Sequence, residues 1–279
     1  MTELPSVPGV EHEFVDAGGL KMHVALAGDP EAPPIVLVHG WPQHWWCWRH
    51  VIPELAREHR VIAPDLRGHG WTDAPREGYE KDQLATDLLA LLDAMGLDRV
   101  TWVGHDWGAF AGFLAAFRAP ERFERLLALC IPPPFSRDRS LSSLALLLSY
   151  QAPISTPGLG SLIVRRGFAG RVLNVARAKG SFTDDEVRTY DDVFRGRPHV
   201  TVGMYRTFLT RELPPLAKGK YADEVVEVPT QIIVGDRDRV TKTVQPDSYP
   251  GQPNVTVRRV DGVGHFLPEE APEALLAAI

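Results

Sequence analysis

The residues whose types and spacing suggest chemistry are an aspartate, a second acid and a histidine, in that order along the chain. Asp106 is the middle residue of Gly104-His105-Asp106-Trp107-Gly108. The β-branched run at 100–103 predicts a buried strand and the helix formers at 109–118 predict a helix, so the chain must turn sharply between them. Small flanking residues permit a strained turn that exposes the central side chain at the end of a sheet. A carboxylate held there can attack an sp3 carbon that carries a leaving group, which gives an ester on the protein.

The second acid and the histidine follow two later predicted strands. Ile232-Ile233-Val234 runs into Gly235-Asp236-Arg237-Asp238, and the alternating segment 255–260 is followed by a glycine-flanked loop that contains His265. The order nucleophile, acid, histidine is the one found in α/β-hydrolases. The pentapeptide by itself is equally compatible with a turn that has no catalytic role.

A third motif, His39-Gly40-Trp41-Pro42, follows the apolar strand predicted at 35–38. Pro42 lacks an N–H group and is a candidate for a cis peptide bond, so the loop presents neighbouring backbone groups in one direction. The backbone N–H groups of Trp41 and Trp107 would then form a two-donor oxyanion hole. A rigid turn without a catalytic role is the alternative.

The elements that must position these residues alternate between strands and helices. A hairpin is predicted at 11–27, single strands at 61–63 and 124–131, and a helix at 82–95. Residues 135–222 show helical patterns without strand alternation. The sequence therefore predicts the α/β class, with a mostly parallel central sheet flanked by helices. Residues 1–134 and 223–279 would form the core domain and residues 135–222 an inserted helical lid, or cap. The turn at 65–70 is predicted to be structural, with charges that satisfy one another locally.

Composition restricts the function classes. The chain has 279 residues and a formal net charge of -6, with no basic stripe that would bind nucleic acid. Cys47 and Cys130 lie far apart, which is typical of a reducing compartment. The N-terminal residues resemble no secretory signal, and the most apolar stretch, 141–148, is too short to span a bilayer. We therefore expect a cytoplasmic protein without a membrane span, metal or cofactor; the sequence leaves a homodimer open.

The motifs together resemble those of the epoxide hydrolases of the α/β-hydrolase fold, and the resemblance covers nearly the whole chain. The loop at 39–42 is similar to the family's H-G-x-P oxyanion motif, and 104–108 is similar to its aspartate elbow. Gly235-x-x-Asp238 resembles the acid motif, which favours Asp238 over Asp236, and Gly264-His265-Phe266 resembles the histidine motif.

The resemblance implies a role for each of these residues. Asp106 would be the nucleophile, His265 the general base and Asp238 the acid that orients the histidine. Trp41 and Trp107 would form the oxyanion hole, and the contacts with substrate would come from Trp107, Phe266, His39 and Pro42.

Two lid tyrosines are implied as hydrogen-bond donors to the epoxide oxygen, a role suited to a phenol. Tyr150-Gln151 resembles the first tyrosine segment and Met204-Tyr205-Arg206 the second. Tyr190 and Tyr221 are predicted to pack or to lie on the surface, and His199 to be a solvated loop residue. The implied reaction converts a small apolar epoxide and water to a vicinal diol through an alkyl ester on Asp106, as in detoxification.

Two other functions remain open. Haloalkane dehalogenases share the aspartate elbow but hold the departing halide with indole or amide N–H groups. All seven tryptophans of this chain precede the lid, so Trp107 alone would supply half of such a clamp. Fluoroacetate dehalogenases carry arginines just after the nucleophile, where this chain has Trp107 and Phe110. A non-catalytic ligand-binding protein of this fold would be expected to have a degenerate triad, whereas all three members are present.

Overall fold

The computed structural model describes residues 3–136, 141–178, 182–245 and 247–279, with the backbone alone at 141–147. Within these ranges eight strands form one sheet. The strands are β1 (Glu11–Ala17), β2 (Leu20–Ala27), β3 (Pro34–Val38), β4 (Arg60–Pro64), β5 (Val100–His105), β6 (Phe123–Leu129), β7 (Thr230–Gly235) and β8 (Val255–Val260). Their order across the sheet is β1-β2-β4-β3-β5-β6-β7-β8.

The sheet is antiparallel at one edge and parallel elsewhere. Strands β1 and β2 form the predicted hairpin around Gly18-Gly19, two glycines with positive φ, and β2 runs antiparallel to β4. All other neighbouring pairs are parallel. Residues 35–38 of β3 are fully buried, as expected for a strand covered on both faces. Because parallel strands end at the same edge, the segments that follow β3, β5, β7 and β8 lie at one end of the sheet.

Helices cover both faces of the sheet and one end of it. Those of the α/β series are α1 (Ile52–Leu55), α2 (Lys81–Ala94), α3 (Trp107–Arg118), α10 (Leu267–Glu270) and α11 (Pro272–Leu276). Between β6 and β7 lie α4 (Leu141–Ser155), α5 (Leu159–Arg165), α6 (Phe168–Ala176), α7 (Asp184–Gly196), α8 (Pro198–Thr207), a π-helical turn (Phe208–Glu212) and α9 (Leu213–Ala217).

The architecture confirms the predicted fold class. Every regular element described between β6 and β7 is a helix, as the patterns at 135–222 predict. The division into a core and a separate lid domain stays a prediction. In the part of the chain that the structure describes, no helix combines the length and apolar character needed to cross a membrane.

The turn after β4 is structural, but its charges do not satisfy one another locally as predicted. The buried Asp65 carboxylate accepts hydrogen bonds from the backbone N–H groups of Trp45 (2.8 Å) and Trp71 (3.1 Å). His23 Nδ1 in β2 lies 2.7 Å from the same carboxylate. Burial raises the pKa of Asp65, and the interaction with His23 leads the opposing effects that bring it far below its usual value. Asp65 therefore ties the loop after β3 to β2 and to its own turn.

Candidate active site

The turn between β5 and α3 holds Asp106 in a strained conformation. Its backbone φ is 49° and ψ is -120°, a region that side-chain-bearing residues rarely adopt. The flanking glycines make the turn compact: a Cβ at Gly104 would lie 2.5 Å from Ala109 Cα, and one at Gly108 would lie 2.2 Å from the Val38 carbonyl oxygen. The sequence pattern and the observed turn therefore agree for a steric reason.

Two backbone N–H groups point at the Asp106 carboxylate. Trp41 N lies 3.1 Å from Asp106 Oδ2, and the backbone N–H of Trp107 also hydrogen-bonds the carboxylate. The Trp41–Pro42 peptide bond is cis, as the sequence suggests. Burial raises the pKa of Asp106 to about 6, and the charge of His265 together with the two N–H groups opposes this effect. The carboxylate is thus desolvated yet stabilised as an anion at neutral pH.

His265 and Asp238 form a buried pair at the ends of β8 and β7. His265 Nδ1 lies 3.2 Å from Asp238 Oδ2, and Asp238 accepts hydrogen bonds from Thr241 Oγ1 (2.7 Å) and Val240 N (2.9 Å). Burial lowers the pKa of His265, but the charges of Asp238 and Asp106 overcome this and raise it to about 9. Burial raises the pKa of Asp238, and His265 leads the interactions that bring it below its usual value.

The loop that carries His265 is held by three further hydrogen bonds. His105 Nε2 donates to the His265 carbonyl oxygen at 2.8 Å. The Glu270 carboxylate accepts from the backbone N–H groups of Gly264 and Phe266, both at 2.9 Å. The imidazole position is therefore determined by residues of β5 and α10 as well as by Asp238.

Tyr150 in α4 and Tyr205 in α8 lie together above the elbow. Their ring centroids are 5.9 Å apart with the planes nearly perpendicular, and the Tyr205 ring packs edge-on against Trp41 at 5.1 Å. The Tyr150 hydroxyl accepts a hydrogen bond from Gln151 Nε2 at 2.9 Å. An interaction with the Trp107 side chain opposes the larger effect of burial on the pKa of Tyr205. Because the Tyr150 hydroxyl accepts from Gln151, its own proton is left to be donated elsewhere.

The tyrosines remain protonated at neutral pH. Burial raises the pKa of Tyr150 to about 12 and brings that of Tyr205 well above its usual value. The Trp41 indole also connects the elbow to the helices above it, since its Nε1 donates to Thr201 Oγ1 of α8 at 3.1 Å. The structure thus brings the predicted nucleophile, both N–H donors, the histidine–acid pair and both tyrosines into one region.

Two of the residues predicted to contact substrate have no exposed surface in this structure. His39 is fully buried; its Nε2 accepts from Leu66 N at 3.0 Å and its Nδ1 donates to the Gly40 carbonyl oxygen at 3.0 Å. Burial lowers the pKa of His39 to about 3, so it is a neutral structural residue. Phe266 is also fully buried and packs against the rings of His105 and Phe182. Both side chains make their contacts within the protein, and a contact with substrate stays a prediction.

The other lid residues singled out from the sequence lie outside this region. Tyr190 is buried and its hydroxyl donates to the Glu269 carboxylate, so it packs as predicted. Tyr221 contacts Asp82 at 3.3 Å. His199 is not in a loop but in the first turn of α8, with Nε2 3.1 Å from the Ala74 carbonyl oxygen, because Pro198 starts that helix.

Sequence reasoning gave no role to several residues that contact groups of the site, among them Thr241, Gln151 and Lys81. Thr241 holds Asp238 and Gln151 holds Tyr150, as described above. Lys81, at the start of α2, lies over the Trp107 ring with Nζ 4.3 Å from the centroid. Its position was a usable signal, because Lys81 shares the buried helical stripe of Leu84 and Leu88. Among the described residues, no group of three or more His, Cys, Asp or Glu side chains is arranged to hold a metal ion.

Comparison with known proteins agrees with the geometry. The model of the α/β-hydrolase fold family matches residues 33–153. The chain is 31% identical to the soluble epoxide hydrolase of Corynebacterium sp. over 96% of this chain and 95% of that protein. It is also 31% identical to epoxide hydrolase A of Mycobacterium tuberculosis, with 95% of each chain covered. The solved structure of the epoxide hydrolase CorEH superimposes with a TM-score of 0.84 at 30% identity, covering 96% of each chain. The chain therefore belongs to the epoxide hydrolase family of α/β-hydrolase-fold enzymes.

Proposed function

We propose that this protein hydrolyses a small apolar epoxide to a vicinal diol in two steps, through an alkyl ester on Asp106. The observation that carries the proposal is an aspartate at the strained elbow with one carboxylate oxygen, Oδ2, already on the Trp41 N–H at 3.1 Å. That oxygen becomes the carbonyl oxygen of the ester, while Oδ1 attacks an epoxide carbon. Membership of the family supports the same reaction.

In the first step the bond between Asp106 Oδ1 and carbon forms as the carbon–oxygen bond of the ring breaks. Tyr150 and Tyr205 donate hydrogen bonds to the departing oxygen, which avoids a free alkoxide. The hydrogen bond that the Tyr150 hydroxyl accepts from Gln151 supports this orientation of its proton. The opened oxygen takes up its proton from water, and the hydroxide left behind is neutralised by the proton that His265 gives up once the ester has formed, so ring opening itself does not require His265.

Ester formation itself prepares the second step. In the resting protein the negative charge of Asp106 contributes to the raised pKa of His265. Once Asp106 is a neutral ester that contribution is absent, so the pKa of His265 falls and its Nε2 becomes a base. His265, oriented by Asp238, then removes a proton from water as the water attacks the Asp106 carbonyl carbon. The Trp41 and Trp107 N–H groups stabilise the resulting oxyanion.

The surroundings of the reaction are part of the proposal. We assign residues 135–222 to a lid that covers Asp106, supported by the contacts of Tyr205 and Thr201 with Trp41. An apolar substrate fits the aromatic rings of Trp41, Trp107 and Tyr205 at the site. A detoxifying role in the cytoplasm and a homodimeric state are further proposals, which cell fractionation and light scattering would test.

The test is to separate the two steps with His265→Gln. Styrene oxide should alkylate Asp106 in this variant, and the ester should persist, so mass spectrometry of the intact protein should find one added epoxide mass on the peptide that contains Asp106. Asp106→Asn should give no adduct. The exposed histidine variant His50→Gln should turn over like the wild type. Diol formation by wild type together with the absence of an adduct in His265→Gln would refute the covalent route.

Haloalkane dehalogenation is the second candidate, favoured by the Trp107 indole N–H beside the nucleophile. Residues 135–222 contain no tryptophan that would complete a halide clamp with it. A parallel assay of styrene oxide and bromobutane, scored by diol and by bromide release, separates the two activities. Bromide release without diol formation would replace our proposal with the dehalogenase.

A further inference from the structure

A buried carboxylate lies between the loop that presents the oxyanion donor and the loop that presents the base. The Glu269 side chain in α10 is only 4% exposed, and its Oε2 lies 2.6 Å from Arg49 Nη1. Arg49 is held in turn by Glu186 of α7, also at 2.6 Å, and the Tyr190 hydroxyl donates to Glu269 Oε1. Glu269 is therefore an acceptor held in place by side chains that have no part in the proposed reaction.

The same carboxylate accepts a hydrogen bond from the turn that carries Trp41. Gln43 is fully buried, and its Nε2 donates to Glu269 Oε1 at 3.0 Å. The backbone N–H of Gln43 donates to the Gly40 carbonyl oxygen at 2.9 Å. This second bond closes the oxyanion turn (residues 40–43), in which the Trp41 N–H points at Asp106 Oδ2. The side chain of Gln43 thus attaches the oxyanion turn to α10.

Helix α10 also holds the loop that carries the base. It begins two residues after His265, and the Glu270 carboxylate accepts hydrogen bonds from the backbone N–H groups of Gly264 and Phe266. Glu269 and Glu270 are adjacent in the chain, so one short helix is bonded to both loops. The placement of the oxyanion donor relative to the base is therefore determined at α10.

We propose that Gln43 is a positioning residue for the second step of the reaction: its hydrogen bond to Glu269 holds the Trp41 N–H where the oxyanion forms during ester hydrolysis. The inference rests on the proposed function. A role in stability alone does not account for the amide, because Gln43 Oε1 has no hydrogen-bond partner among the described residues. An apolar side chain of similar shape would avoid the cost of that unpaired acceptor.

The two steps place opposite demands on the Trp41 N–H. During alkylation the Asp106 carboxylate loses its negative charge, so the hydrogen bond to Oδ2 weakens and favours the state before attack. During ester hydrolysis negative charge develops on the same oxygen, so the hydrogen bond strengthens and lowers the barrier. A displaced donor should therefore slow hydrolysis without slowing alkylation. A general loss of order at the site would slow both steps.

The experiment compares Gln43→Met, Gln43→Asn and Gln252→Met. Methionine removes the amide, whereas asparagine keeps it on a side chain one methylene shorter, which withdraws it from Glu269. Gln252 is the matched control, because it is also a buried amide but bonds to the Glu224 carbonyl oxygen and the Val226 N–H. Thermal unfolding of each sample establishes that it is folded.

Each step is measured separately with styrene oxide. Alkylation is followed by the intact mass of proteins that also carry His265→Gln. Ester hydrolysis is followed in single turnovers with His265 present, quenched in acid and scored by the fraction of protein that carries the ester. Burial raises the pKa of Glu269 to about 7, so the reactions are run at about pH 8, where the acceptor is ionised.

We expect ester hydrolysis in both Gln43 variants to be roughly ten-fold slower, a smaller effect than the about 100- to 1,000-fold loss that follows removal of a donor. The ester on Asp106 should accumulate, and alkylation should stay within about two-fold of the parent rate. Gln252→Met should match the wild type in both steps.

Equal slowing of both steps, or unchanged hydrolysis in the Gln43 variants, would overturn the inference and leave the proposed function intact. Loss of folded protein in both Gln43 variants would indicate a structural role and would overturn it as well. Absence of any adduct on Asp106 in His265→Gln would overturn the inference together with the proposed function.

Discussion

Replacing Gly40 with alanine should abolish most of the activity while leaving the fold in place. Gly40 lies between β3 and Trp41, directly against the nucleophile. A Cβ at this position would lie 2.4 Å from Asp106 Cβ, 2.6 Å from Asp106 Oδ2 and 2.8 Å from the His105 carbonyl oxygen. Neither Asp106 Cβ nor the carbonyl group can rotate away, so the loop and the elbow must separate.

The size of the effect follows from these distances. Ordinary contact begins at 3.4 Å, so Asp106 Cβ must move by about 1 Å relative to the loop. A shift of that size breaks the 3.1 Å hydrogen bond between Trp41 N and Asp106 Oδ2. Loss of one oxyanion donor elsewhere costs roughly 2.7–4 kcal/mol, or about 100- to 1,000-fold in kcat. Overpacking of this kind costs stability by only about 1–3 kcal/mol.

The assay is diol formation from styrene oxide, measured together with the thermal unfolding of the same samples. Gly251→Ala is the matched control, because a Cβ there meets no atom within 4 Å. We expect kcat to fall by roughly two to three orders of magnitude in Gly40→Ala and to be unchanged in Gly251→Ala. A folded Gly40→Ala protein with the wild-type kcat would refute the assignment of Trp41 N–H and Asp106 to one oxyanion site.

Two further predictions concern the two tyrosines and the buried histidines. Tyr150→Phe combined with Tyr205→Phe should slow adduct formation in the His265→Gln protein by orders of magnitude, because no phenol then donates to the epoxide oxygen; an unchanged adduct rate would remove both tyrosines from the mechanism. Burial lowers the pKa of His39 to about 3 and those of His44 and His69 to about 4. The unfolded chain binds these protons near pH 6.5, so their contribution to stability is complete above that pH and is lost as the pH falls toward 4. His105, with a pKa lowered to about 3, acts in the same direction, while Glu269 and Asp106, whose pKa values burial raises to about 7 and about 6, act in the opposite one. Four histidines against two carboxyl groups leave a net loss, so urea unfolding should show a lower free energy at pH 5 than at pH 7, on the order of two groups at about 1.4 kcal/mol per pH unit each. A higher free energy at pH 5 would contradict the assignment.

The local conformation of the elbow could be predicted from the sequence because its causes are local. The glycines at 104 and 108 are required by contacts within the turn or with the adjacent strand. The hairpin at 11–27 and the strand at 35–38 follow from alternation and from continuous apolar character in the same way. The order of strands in the sheet then brings Asp106, Asp238 and His265 to one end, as the motif order indicates.

The roles of individual side chains were less predictable. His39 and Phe266 belong to motifs beside the site, but their side chains point into packed surroundings, which is a property of the folded loops. The charges of the turn at 65–70 find partners in β2 and α2, as with Arg67 and Asp87, 2.6 Å apart. Proximity in sequence predicted the wrong partners for these charged residues. A buried charge has no water to bind, so it must pair with whichever polar group the fold places next to it.

The sequence by itself determined that the Asp106 carboxylate lies in a tight turn after a strand, and that Asp238 and His265 follow later strands. Strands, tight turns and their order are encoded in short segments. Only the tertiary structure decided which charges are buried and what faces them. Lys81 and Glu212 are 131 residues apart and share no motif, yet the packing of the π-helical turn against the start of α2 makes them an ion pair next to Trp107. Such pairs depend on the relative placement of distant segments, because the electrostatic interaction acts over a few ångströms of space whatever the separation along the chain.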